Sequence, residues 1–276
     1  MNALNSLLSR LSDLLFAPLA GWPLLTLCLF SAIVGVLMAW VFRHTSNQRA
    51  LGAVANRIRA QLFAIKLFKD DLGVTFRCQV ELFKATGLRL WYSLPPMLVM
   101  LVPLMLVLIQ LATRYEVRPL KPGETAIVEL QLAASAWDSL GQPSIEAPEA
   151  IVVETAALRD ASRHTIFWRI RPEAAATGTL RFTVGEQVVE KTIIASDEGH
   201  PLVAVSPRRP GTELLDRALY PLEPAFDETS PVQAIAITYP QRSTPLLGFD
   251  IPWWLTFFIV SMLAAVVARP WLKVQF

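Results

Sequence analysis

Three apolar runs, each long enough to cross a lipid bilayer, constrain this chain more than any other feature. They cover residues 22–42, 94–112 and 251–268. A helix needs about 20 predominantly apolar residues to span the hydrocarbon core of a membrane. Of the 276 residues, 53% are hydrophobic and 17% are charged, and the charged share of soluble domains is roughly 25%. The chain is therefore predicted to be a membrane protein with three transmembrane helices and one soluble part.

Between the first two apolar runs lies a basic, helix-prone segment, residues 43–93. In its first half an apolar residue recurs every three or four positions, at Leu51, Val54, Ile58, Leu62, Ile65 and Phe68. A polar break at residues 69–73 separates this pattern from a second one. Two short amphipathic helices in succession are expected to pair antiparallel as a hairpin. The same pattern also suits a segment that lies partly on the lipid surface.

The region 114–249 has a different character, with frequent prolines and alternating β-branched and polar residues. Seven short runs are predicted to be strands: 125–132, 150–155, 164–171, 178–184, 187–194, 201–206 and 233–239. Gly185-Glu186 between two of them suits a tight hairpin turn, and a short helix is expected at 213–218 in a long loop. This number of strands predicts an immunoglobulin-like β-sandwich. The Cys–Trp–Cys pattern of antibody domains is absent, so the prediction concerns architecture alone.

The distribution of charge predicts the orientation of the chain. Residues 43–93 contain nine Lys or Arg and three Asp or Glu, whereas residues 114–250 contain thirteen and nineteen. The tail after residue 268 has Arg269 and Lys273 and no acid. Cytoplasmic loops of membrane proteins carry the excess of Lys and Arg. The hairpin and the C-terminus are therefore predicted to be cytoplasmic, and the N-terminus and the β domain to lie outside a cell inner (plasma) membrane.

The predicted fold class is an α+β membrane protein in six parts. These are an N-terminal amphipathic helix (1–20), a transmembrane helix (21–42), the cytoplasmic basic hairpin (43–93), a second transmembrane helix (94–113), the extracytoplasmic β-sandwich (114–249), and a third transmembrane helix with a short cytoplasmic tail (250–276). The N-terminal helix is expected either in the membrane interface or packed on the protein itself. The second span is expected to begin at Pro95-Pro96.

Polar residues are few within the three runs. Ser31 and Gly35, and Ser261 and Ala265, form pairs of small residues four positions apart, which allow helices to approach closely. The runs contain no ionisable residue, and this disfavours an ion-coupled transporter. The sequence has no nucleophile, metal-ligand or phosphate-loop motif. We therefore expect no enzyme, no metal and no cofactor.

The nine positive charges of the hairpin are expected to attract a polyanion. Anionic lipid, ribosomal RNA and an acidic protein partner all fit this expectation, whereas DNA is not expected. The alternative is that these charges only enforce the topology of the chain.

The order of these parts resembles the Oxa/YidC/Get-type insertase superfamily. The resemblance rests on NALNSLLSRLSDLLFAPL, a Pro/Gly break, a first span ending in VFRHTSNQRAL, the basic hairpin and the second span. It covers residues 1–112, and residues 251–276 by topology alone. The small archaeal YidC-like members and the related subunit of the ER membrane complex are the most similar in layout.

Such proteins insert substrate helices through a short hydrophilic groove, and their hairpin helps to receive the substrate. The resemblance implies client- or lipid-binding roles for hairpin residues, namely Arg57, Arg59, Lys66, Lys69, Arg77 and Lys84. It implies groove polarity from Ser31, Gln110 and Ser261, with Thr113 near the end of the second span. The groove arginine of the superfamily has no counterpart here, and the β domain lies where bacterial YidC has a helical pair.

The function expected from these observations is that of a membrane protein insertase or membrane chaperone. Its partners would be membrane lipids, nascent membrane proteins or the ribosome. The alternative is a non-catalytic scaffold or subunit of a larger membrane complex, which binds a partner through its extracytoplasmic β domain.

Overall fold

The computed structural model describes residues 21–68, 71–137, 141, 143–197, 202–246 and 248–272. The predicted N-terminal helix (1–20) and Lys69 lie outside the described residues. The chain divides into two compact units. Residues 27–107 and 254–276 form a helical unit, and residues 1–26 and 108–253 form a unit that contains the strands, here called the β unit.

The long helices are α1 (Pro23–Thr45), α2 (Gln48–Leu67), α3 (Leu72–Tyr115) and α5 (Trp253–Leu272). α1 begins at a proline, whose fixed φ and missing N–H suit the first helical position. α1, α3 and α5 are long and apolar enough to cross a membrane. The three predicted spans are thus present as helices, as a multi-pass membrane protein requires.

α3 is one helix of 44 residues that contains Pro95, Pro96 and Pro103. The sequence predicts a new helix at Pro95-Pro96, whereas the structure continues the second arm of the hairpin directly into the second apolar run. Each proline removes one intrahelical hydrogen bond. Because Pro95 and Pro96 are adjacent, both missing hydrogen bonds fall in the same turn. The helix continues through the apolar sequence on either side. Helices that cross membranes tolerate proline in this way.

α2 and the first turns of α3 occupy the segment predicted to be a hairpin, and this segment keeps that name below. Asn47 caps α2, because its side-chain oxygen accepts a hydrogen bond from the backbone N–H of Ala50 (3.1 Å). Asp71 caps α3 by accepting one from the N–H of Val74 (3.0 Å). Arg57 of α2 pairs with Glu81 of α3, so the two helices lie side by side at this point.

The β unit contains eleven strands among the described residues. They are β1 (Ala126–Leu132), β2 (Ser144–Glu146), β3 (Ile151–Val153), β4 (Leu158–Asp160), β5 (Thr165–Pro172), β6 (Ala176–Val184), β7 (Gln187–Ala195), β8 (Arg208–Arg209), β9 (Val232–Ile237), β10 (Pro245–Leu246) and β11 (Phe249–Asp250), with the short helix α4 (Leu214–Leu219) between β8 and β9. One sheet has the order β3-β5-β1-β9-β8, with β4 also on β5, and the second has the order β2-β6-β7. All pairs are antiparallel, and the chain is therefore an α+β protein.

One hydrophobic core holds the two sheets together. Alternate residues of β1 and β5 and alternate residues of β6 and β7 all enter it. The Trp168 and Phe182 rings, one from each sheet, lie 5.7 Å apart between centroids. The turn predicted at Gly185-Glu186 joins β6 to β7, with Gly185 at φ 62°. The alternating pattern of the strands thus places their apolar side in this core.

Six of the seven predicted strands are present, and the prediction at 201–206 is wrong. Residues 202–206 have no strand. The backbone N–H of Val205 donates instead to the carbonyl of Thr113 near the end of α3 (2.8 Å). The sequence of an apolar run does not show whether its backbone will bond to a neighbouring strand or, as here, to the end of a helix.

Candidate functional site

Five of the six basic residues predicted to bind clients or lipid are among the described residues, and they lie on the surface of the hairpin. Arg57 and Lys84 both pair with the carboxylate of Glu81, Lys84 at 3.1 Å. Arg59 donates a hydrogen bond to Asn56 Oδ1 (3.3 Å). Lys66 and Arg77 are exposed. One acid therefore partly neutralises two of the predicted cations.

The hairpin buries its apolar stripe only at its base. Leu51 and Val54 are buried, whereas Leu62 and Phe68 further along α2 are exposed. The outer part of the hairpin also exposes three phenylalanines, Phe63, Phe76 and Phe83. Its surface is thus a mixture of cations and large apolar groups, which suits contact with an apolar or amphipathic partner.

A cavity of about 430 Å³ lies between α1, α3 and α5 in the helical unit. Its lining consists of apolar residues and one serine: Val34, Gly35, Met38, Ala39, Phe42, Met100, Leu104, Leu255, Phe257, Phe258, Ile259, Ser261, Met262 and Ala265. Three of the six methionines of the chain are among them. Methionine side chains are flexible and polarisable, and they adapt to apolar partners of different shape.

A very close helix contact forms one wall of this cavity. Gly35 of α1 lies against the backbone of Ser261 on α5. The two pairs of small residues noted in the sequence therefore meet, since Gly35 belongs to one and Ser261 to the other. Small side chains at such a crossing let two helices approach closely.

The cavity reaches the base of the hairpin. Phe42 and Leu51 are buried together, with Tyr92, Met100 and Leu272 packed against them. Phe42 and Met100 also line the cavity. Apolar side chains are therefore continuous from the base of the hairpin to the lining of the cavity.

The three residues predicted to give groove polarity have different surroundings. Ser261 lines the cavity. Ser31 is fully buried, and its hydroxyl donates to the carbonyl of Leu27 on the same helix (2.6 Å). Gln110 belongs to the β unit, and its Oε1 is buried with no hydrogen-bond partner among the described residues. The cavity thus has an apolar lining rather than a hydrophilic one.

A buried arginine at the end of α3 was not predicted as part of any site. Arg114 is 1% exposed, and its Nη1 donates to the carbonyl of Gln110 and to Thr113 Oγ1, both at 3.2 Å. The next residue, Tyr115, donates its hydroxyl hydrogen to the carbonyl of Pro23 (2.9 Å). Sequence position placed Arg114 just past the span and therefore in water. Only the packing around it reveals its burial.

The β unit also contains a buried ion pair. Lys191 Nζ lies 2.9 Å from the carboxylate of Glu223 and donates to the carbonyl of Ser206 (2.6 Å). Burial lowers the pKa of Lys191, and the charge of Glu223 opposes that shift. Each interaction ties the long segment before β9 to β7. The pair therefore holds that segment against β7.

No protein-family model, curated protein or solved structure matches this chain. In the described part of the chain no group of three His, Cys, Asp or Glu side chains is placed to hold a metal ion.

Proposed function

We propose that this protein is a membrane chaperone of the insertase type, which holds an apolar segment of a client between α1, α3 and α5. The observation that carries the proposal is the methionine-lined cavity beside the hairpin base. A site that accepts many sequences needs side chains that change shape at low cost. Met38, Met100 and Met262, placed one on each helix, meet that requirement.

The energetics suit a temporary site. An apolar segment that leaves water gains about 25 cal/mol for each Å² of surface it buries. Passing from an apolar cavity into lipid changes little, because lipid tails are as apolar as leucine. The cavity would therefore accept a segment from water and release it into the bilayer without a large barrier.

The hairpin would receive the client. Its excess of Lys and Arg supports a location in the cytoplasm, at the inner membrane, under the positive-inside rule. Its exposed phenylalanines offer apolar contacts. The predicted binding residues Arg59, Lys66 and Arg77 remain available for an anionic lipid or for ribosomal RNA. The β unit, which we propose to be immunoglobulin-like, would contact the translocated part outside.

The layout of three spans with a hairpin between the first two supports membership of the Oxa/YidC/Get-type superfamily. The apolar lining of the cavity sets this chain apart from the hydrophilic groove of that superfamily. We therefore propose that the protein holds apolar segments of its clients rather than passing polar segments across the membrane.

Photo-crosslinking from inside the cavity tests the proposal. A benzophenone amino acid would replace Met262, which lines the cavity, or Leu263, the adjacent residue on another face of α5. A single-span client is then translated in the presence of proteoliposomes that contain each variant. We expect client adducts at 262 in clear excess over 263. Equal adducts at the two positions, or adducts with lipid alone, would contradict the proposal.

The second candidate function is a scaffold subunit of a larger membrane complex. It is favoured by the β unit, which has a complete hydrophobic core of its own and suits a binding domain. Purification in mild detergent separates the two functions. A stable complex of fixed stoichiometry supports the scaffold, whereas substoichiometric nascent chains crosslinked to the hairpin support the chaperone.

A further inference from the structure

The short helix α4 turns its polar side chains towards the protein and its leucines away from it. Asp216 pairs with Arg208 (2.9 Å). Arg217 donates to the backbone carbonyls of Gly211 and Phe226, both at 3.3 Å. Helices that face water show the opposite arrangement, with apolar residues inward.

The outward residues of α4 are large and apolar. Leu214 is 74% exposed and Leu215 is 69% exposed, and Leu219 is also exposed. Leu215 and Leu219 are four residues apart and therefore share one face of the helix. In water these exposed leucines would add no stability to the domain, yet the ion pair and hydrogen bonds of α4 hold them facing outward.

The position of α4 indicates what covers this face. Leu219 and the three residues after it line a small pocket with Ala112, Thr113 and Glu116 of α3. Ala112 closes the second apolar run, and Thr113 comes next. The C-terminal end of α4 therefore lies beside the end of the apolar run of α3.

Two aromatic residues lie at the same end of α3, a buried tyrosine and a half-buried tryptophan. The rings of Tyr115 and Trp253, the first residue of α5, lie 6.5 Å apart. Tyr and Trp are enriched where membrane helices meet the headgroups.

We propose that α4 inserts Leu214 and Leu215 into the lipid leaflet at the Tyr115 end of α3. The ligand is the upper part of the acyl chains, as for helices that lie in the plane of a membrane interface. The occupant is lipid rather than a protein partner, because the leucine face adjoins the end of a membrane-spanning helix. The β unit is then held to the membrane by α4 as well as by its connections to the spans. This inference does not depend on the proposed function.

Fluorescence from α4 in lipid nanodiscs tests this anchor in the full-length chain. Cys28 and Cys78 are replaced by alanine, and an environment-sensitive NBD probe is attached to Leu215→Cys. The matched control is Val188→Cys, also exposed (60%) and on β7. Ala195, at the other end of β7, forms a bridge with Leu120 near the end of α3. Val188 lies seven residues from Ala195, a distance of about 23 Å along the strand at 3.3 Å per residue.

We expect the emission of the probe at 215 to be blue-shifted and to be quenched by lipids that carry a nitroxide high on the acyl chain. The probe at 188 should emit as in water and be quenched by aqueous iodide. If iodide quenches both probes equally, α4 faces water and the proposal fails. It also fails if emission at 215 is blue-shifted but nitroxide lipid does not quench it, since a protein surface then covers α4. Both positions are exposed, so labelling leaves the fold intact, and circular dichroism checks this.

Discussion

Replacing Gly35 by alanine tests the close contact between α1 and α5. An added Cβ would lie 2.8 Å from Ser261 Cα and closer still to the Ser261 carbonyl oxygen, whereas ordinary contacts begin near 3.4 Å. The obstacle is backbone, so no side chain can rotate away. The two helices must therefore separate by at least about 0.6 Å.

The expected cost follows from two opposing effects. Overpacking of this kind costs about 1–3 kcal/mol. Alanine favours the helix over glycine by about 1 kcal/mol, which offsets part of that cost. We therefore expect Gly35→Ala to lower the free energy of unfolding of the helical unit by up to about 2 kcal/mol, the difference between these two effects.

Gly87→Ala is the matched control. Gly87 lies inside α3, and a Cβ added there meets nothing within 4 Å. The same substitution should therefore stabilise the protein by about 0.5–1 kcal/mol. Helical circular dichroism during thermal unfolding in detergent measures both variants. If Gly35→Ala unfolds at the same temperature as Gly87→Ala, or at a higher one, the packing described for α1 and α5 is wrong.

Three further predictions concern charged groups. Lys191→Met should destabilise the β unit by about 3–5 kcal/mol, measured by urea denaturation, because it leaves Glu223 buried without its counter-charge. Adding Glu223→Leu to this variant should restore most of the lost stability. The hydrogen bonds from Arg118 hold the pKa of Glu124 at about 2, below its ordinary 4.5. This carboxylate therefore contributes stability above pH 4.5 that is lost as the pH falls towards 2. The unfolding temperature of Glu124→Gln should therefore fall less than that of the unchanged protein as the pH is lowered through this range. Glu81→Ala should leave the thermal unfolding of the hairpin nearly unchanged, because its ion pairs are exposed to water. A clear fall in the unfolding temperature would show that these ion pairs hold the two helices together.

Features that depend on local pattern could be read from the sequence. Length and hydropathy predict α1, α3 and α5, since a membrane span needs nothing but a run of apolar residues. Alternation predicts β1, β5, β6, β7 and β9, because one side of each strand enters the shared core.

Features that depend on tertiary packing could not be read in this way. Pro95-Pro96 has the sequence of a helix start, yet the helix continues through it. Arg114 has the sequence of an exposed residue beyond a span, yet it is buried. The cavity needs residues from three helices far apart in the chain, and no single segment encodes it. The exposed leucines of α4 resemble ordinary core residues until their neighbours are known.

The central claim is that the space between α1, α3 and α5 handles apolar segments of other proteins. The most direct measurement is insertion of a purified single-span client into proteoliposomes, followed by protease protection. We expect the purified protein to raise the protected fraction above that of empty liposomes. Ala265→Trp, which fills part of the cavity, should abolish the gain, and Leu263→Trp, away from the cavity on the same helix, should retain it. Equal protection in empty liposomes, or an undiminished gain with Ala265→Trp, would contradict the claim.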